Sequence, residues 1–152
     1  MSSRQSLSAT LIGRAQSVTA THHQPLFGSR VRAGFPSPAD DHLDTDVDLH
    51  AHVVKHPAAT FFVRAEGDSM HDDGIHDGDL LVVDRSLDPI PGRVLIVALY
   101  GELTVKRLEH IGQRPYLTAS NPRVPPIPLT NQEAQVWGVV THVVHALGGG
   151  RP

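Results

Sequence analysis

Val94-Leu95-Ile96-Val97-Ala98-Leu99-Tyr100-Gly101-Glu102-Leu103-Thr104-Val105-Lys106-Arg107-Leu108 contains two short apolar runs separated by Tyr100-Gly101. Runs of this length around a glycine-containing dipeptide read as two strands of a tight hairpin. Side chains alternate along a strand, so Leu103, Val105 and Arg107 take one face of the second strand, and Thr104, Lys106 and Leu108 the other. The lysine therefore sits among apolar neighbours, on a face that need not carry a second charge.

The same pattern extends on both sides. From Gly34 onward, short apolar segments alternate with Gly, Pro and Asp. Further strands are expected at Thr60–Ala65, Leu80–Asp84, Tyr116–Ala119 and Val136–His145, and one helix at Val47–Lys55. The prolines from Pro122 to Pro128 cannot donate to a ladder and mark an extended loop. The expected class is mainly β, in one domain over 34–147, with no internal repeat and a flexible tail at 148–152.

Residues 1–33 differ. They are rich in Ser, Thr, Gln and His and show no sustained apolar period, so a flexible N-terminal arm is expected. The arm holds Arg4, Arg14, Arg30 and Arg32 and no acidic residue, a charge of +4 in a chain of net charge -3, which leaves -7 on the remainder. It is too short and too polar for a helix-turn-helix, so no sequence-specific DNA binding is expected. The 152-residue chain contains no cysteine, which excludes disulfides, thiolate metal sites and cysteine nucleophiles. No apolar run approaches the roughly 18 residues of a membrane span, and no secretory signal is visible. The expectation is a cytoplasmic protein with no membrane contact.

The chemistry falls on Glu66-Gly67-Asp68-Ser69-Met70. A serine hydroxyl attacks only if a neighbouring base takes its proton, and a lysine serves as that base only when neutral. The reference lysine pKa near 10.4 prevents this in water, and burial lowers it by disfavouring the charged form. Ser69 as nucleophile and Lys106 as base form the candidate pair. Gly67 permits a sharp turn, Asp68 supports the loop, and N–H groups around Ser69 and Met70 are candidates to face an oxyanion. Upstream, Ala33-Gly34 within Val31-Arg32-Ala33-Gly34-Phe35-Pro36 offers a small-residue peptide bond in an extended segment, suited to close approach by a nucleophile.

Metal chemistry has less support at this level. His52 and His56 would share a face of the expected helix, but zinc normally requires three or four ligands. Asp44-Thr45-Asp46-Val47-Asp48 begins like a calcium loop, yet Leu49 and Lys55 replace the required glycine and bidentate acid. Neither a metal nor a cofactor is expected.

In combination these residues resemble the UmuD family, within the LexA-type self-cleaving serine peptidases. The resemblance rests on Pro25-Leu26-Phe27, Ala33-Gly34-Phe35-Pro36-Ser37-Pro38-Ala39-Asp40, His56-Pro57, Gly67-Asp68-Ser69-Met70, Asp77-Gly78-Asp79-Leu80-Leu81-Val82-Val83-Asp84, Thr104-Val105-Lys106 and Trp137-Gly138-Val139-Val140. It implies strongly bent antiparallel sheets of the LexA and signal-peptidase catalytic-domain type. It further implies a homodimer that cuts Ala33-Gly34 when stimulated by a RecA filament on single-stranded DNA in the SOS response. The cleaved form would then be an accessory subunit of an error-prone, UmuC-type Y-family DNA polymerase. A membrane signal peptidase uses a related pair but would need an anchor. A noncatalytic interaction module of the same fold is the alternative.

Overall fold

The computed structural model describes residues 8–15, 23–27 and 43–148. Among them ten strands are formed: β1 (Ser8–Arg14), β2 (His23–Phe27), β3 (Leu43–Asp48), β4 (Thr60–Glu66), β5 (Leu80–Asp84), β6 (Val94–Leu99), β7 (Glu102–Ile111), β8 (Arg114–Thr118), β9 (Ile127–Pro128) and β10 (Ala134–Val144). One helix, α1 (Leu49–Val53), and two 3₁₀ turns, Pro57–Ala59 and His71–Asp73, complete the elements.

Eight strands make one antiparallel sheet in the order β1-β4-β5-β10-β6-β7-β8-β9, while β2 and β3 pair separately. Ser8 of β1 also pairs with Thr104 of β7, which closes the first six strands into a barrel-like ring. β10 carries two register shifts, one against β6 between Val136 and Gly138 and one against β5 between Val140 and His142. Such bulges bend a long strand and let it serve both neighbours of a strongly curved sheet. Trp137 sits at the first bulge, edge-on to Phe61 at 5.1 Å and under the Arg85 guanidinium at 4.6 Å.

The two faces of β6 and β7 feed two apolar clusters. Ile96 and Val105 join Val63, Met70, Leu81 and Val83 in one, and Leu95, Val97 and Leu108 join Leu117 and Val139 in the other. The hairpin expected from the sequence is present, with Leu99 opposite Glu102 and positive φ at Tyr100 (50°) and Gly101 (80°). Two successive left-handed residues match the twist of the flanking strands. A Cβ at Gly101 would have open space, so only the backbone conformation resists substitution. Gly101→Val is expected to lower stability by about 1–2 kcal/mol, read as a reduced urea midpoint.

Three expectations need correction. The stretch Val47–Lys55 was expected to be helical, but Val47 and Asp48 end β3 and the helix stops at Val53. His52 and His56 therefore part company: His52 approaches the His142 ring at 6.1 Å, and His56 Nδ1 lies 2.5 Å from Asp84 Oδ2. Burial would raise the Asp84 carboxyl, but hydrogen bonds from His56 and Ser86 outweigh it and hold the group below its ordinary value. The proline loop contributes a short strand, β9, at the sheet edge, where a missing N–H leaves no ladder bond unmade. Finally, Ser8–Arg14 forms a strand despite its unpatterned sequence, because β4 offers an open edge to pair with.

Candidate active site

The turn leaving β4 carries the serine. Gly67 adopts φ 97°, a conformation L-residues rarely take, and its N–H donates to Asp77 Oδ1 at 2.9 Å. Asp68 is exposed, and its carbonyl accepts the His71 N–H at 3.0 Å. The chain then enters the His71–Asp73 turn, whose Asp73 and Ile75 N–H groups donate to the Met70 carbonyl at 3.0 and 3.2 Å. Ser69 and Met70 are fully buried, and Met70 packs in the cluster that contains Val105.

Lys106 lies in β7 opposite Leu95 and is only 1% exposed. Burial pushes its ammonium below the usual lysine value, since an apolar setting penalises the charged form. This is the direction a lysine base requires.

Several contacts hold the serine turn on β7. Asp73 Oδ1 accepts from Arg107 Nε and Nη2, both at 2.6 Å, while its other oxygen accepts from Ser120 Oγ. Asn121 N–H donates to the Ser69 carbonyl at 3.2 Å. Arg107 is the neighbour of Lys106, and Val105, on its other side, packs with Met70. The fold thus brings the serine turn and the lysine strand together, through one packing contact and one ion pair. Beside them lies a surface recess of about 270 Å³ lined by Asp68, His71, Asp72, Ser120, Asn121 and Pro122.

The sequence placed Ser69, Gly67, Asp68, Met70 and Lys106 in the site; Ala33 and Gly34 lie outside the described residues. It did not find Asp73, Ser120 or Asn121. The one available signal was Arg107, a charge on the strand face that also carries Leu103 and Val105.

The peptidase S24-like family model matches residues 25–141. The chain belongs to the S24-like peptidases. Protein SamA of Salmonella typhimurium is 49% identical over 121 residues, covering 80% of this chain and 84% of that protein. Protein MucA of Escherichia coli is 42% identical over 133 residues, covering 86% and 90% of the two chains. The LexA repressor of Colwellia psychrerythraea is 36% identical over 124 residues, covering 80% of this chain and 58% of the repressor. Within the S24-like family these relatives place the chain in the UmuD group of LexA-type self-cleaving serine peptidases, as the residue resemblance implied. The closed, bent antiparallel sheet is the fold expected of an S24-like peptidase. Among the described residues no helix is long and apolar enough to cross a membrane.

Proposed function

We propose that this chain cuts its own Ala33-Gly34 bond, with Ser69 as nucleophile and Lys106 as general base. The observation that supports it most is a fully buried lysine, lowered in pKa by that burial, in the strand against which an S24-like serine turn is fastened. Neutral Lys106 takes the Ser69 hydroxyl proton as the oxygen attacks the Ala33 carbonyl. The Gly34 amine leaves with that proton, and water then hydrolyses the Ala33 ester, regenerating the serine. On this reading the oxyanion is met by N–H groups around Ser69 and Met70, on the turn that Gly67 opens.

On this reading residues 1–33 are a cleavable arm and 34–147 the peptidase domain. The Ser8-to-Thr104 pairing supports an arm that reaches the body two residues from Lys106. Holding the bond on the same chain supplies a high effective concentration, which suits a slow cut triggered by a partner that positions the arm. That partner is a RecA filament on single-stranded DNA in the SOS response. The cleaved form, a cytoplasmic homodimer, then acts as accessory subunit of a UmuC-type Y-family polymerase in translesion synthesis.

Mass spectrometry after incubation at alkaline pH, or with RecA filaments, should show a new N-terminus at Gly34. Ser69→Ala should abolish it. An intact wild-type chain under both conditions would favour the noncatalytic module.

A further inference from the structure

His76, Asp79 and His145 meet at one point, where the His76 ring also packs edge-on to His71 at 4.4 Å. Each offers one ligand atom, and the three atoms lie within 4.8 Å of one another. The sheet register makes this meeting: Val144 of β10 pairs with Leu80 of β5, which sets His145 beside Asp79. The foot of the loop is fixed by Gly78 N–H to the Ala65 carbonyl at 2.8 Å and Ala65 N–H to the Asp79 carbonyl at 2.9 Å.

We propose that these three residues form a binding site for a divalent transition-metal ion of the Zn²⁺ class. His145 Nδ1 lies 2.6 Å from Asp79 Oδ1, and His76 Nδ1 lies 3.7 Å from Asp79 Oδ2. Ligand atoms bound at zinc distances in a tetrahedron are about 3.3 Å apart, so the two separations bracket what an ion needs. His76 Nδ1 is buried and has no hydrogen-bond partner among the described residues. An imidazole nitrogen without a partner, aimed at a carboxylate just beyond hydrogen-bond reach, is satisfied at once by a cation between them. Asp79 is 3% exposed, and its carboxylate is oriented by the His76 backbone N–H at 2.8 Å. The rings of His76 and His145 are partly exposed, at 37% and 40%.

Two imidazoles and one carboxylate suit Zn²⁺, Ni²⁺ or Co²⁺ better than Ca²⁺ or Mg²⁺. The ion would take the place of the hydrogen bond between His145 Nδ1 and Asp79 Oδ1, with the ring hydrogen then on Nε2. Its structural effect is a clip: the loop carrying Ser69 becomes tied to the end of β10 as well as to β7. The site stands independently of whether Ser69 is catalytic.

The test uses the full chain, stripped by chelator and dialysed, titrated with ZnCl₂ by calorimetry and with CoCl₂ by visible absorption. One equivalent of Zn²⁺ is expected, with cobalt d–d bands and a raised unfolding temperature. His76→Ala and His145→Ala should each weaken binding roughly tenfold or more, and His52→Ala should leave it unchanged. Circular dichroism confirms that each variant is folded, and His145→Gln provides a second, milder removal of the ligand. Binding of equal strength in wild type and both histidine-to-alanine variants, or neither heat nor cobalt bands with the wild type, overturns the site.

Discussion

Lys106→Met is expected to yield a folded chain that releases residues 34–152 between 10²- and 10⁴-fold more slowly than wild type, roughly the contribution of a positioned general base. Methionine fills a similar volume beside Leu95 and Leu108 without a charge to desolvate. In wild type the rate should climb about tenfold per pH unit until the lowered Lys106 value is passed, then level off. Stability carries an independent signature. Unfolded, the ammonium has its ordinary value of 10.5; folded, burial lowers it. Between those values the unfolded chain binds more protons, so wild-type stability rises with pH across that window. Below the folded value the whole cost of the buried charge is present, and above 10.5 it is gone. Lys106→Met should therefore have the higher urea midpoint at the low-pH side of the window, and the advantage should shrink as pH approaches 10.5. A cleavage rate like that of wild type, or a wild-type rate indifferent to pH, would rule out Lys106 as the base.

What could be read from the sequence was set by local chemistry. The β6–β7 hairpin was legible because alternation fixes the strand faces and Tyr100-Gly101 fixes the turn, and both are properties of adjacent residues. The serine turn was legible for the same reason, with Gly67 taking the positive φ its position demands. β1 was not, because Ser8–Arg14 becomes a strand through pairing with β4, an edge some fifty residues away. The helix was overextended because Val47 and Asp48 answer to their β2 partners, Gln24 and His23, rather than to helical spacing. His76 and His145 were invisible as a pair, since nothing local links residues brought together by the β5–β10 register. Only the family resemblance drew attention to Asp77-Gly78-Asp79, and it did so without assigning Asp79 a task.

Asp73→Ala is expected to cost about 2–4 kcal/mol and to slow cleavage as well, because one carboxylate joins three segments. It pairs with Arg107 of β7 at 2.6 Å and accepts from Ser120, next to the residue that holds the Ser69 carbonyl. Both partners of the ion pair are largely shielded, at 28% and 16% exposure, so water screens the interaction only in part. Removing the acid leaves the guanidinium with its bond to the Gly92 carbonyl at 2.6 Å, which places the loss toward the lower end of that range. Asp73→Asn keeps an acceptor for Arg107 or Ser120 and should recover part of both effects. If the role of Asp73 is to position the serine, the rate plateau should fall while the pH at which it is reached stays that of wild type, since Lys106 is untouched. Arg107→Met should reproduce the fall, and adding Asp73→Ala to it should cost less than the two separate losses together, as for residues acting through one contact. Full additivity, or a shift of the pH profile with no fall in its plateau, would mean that Asp73 does not position the serine turn through Arg107.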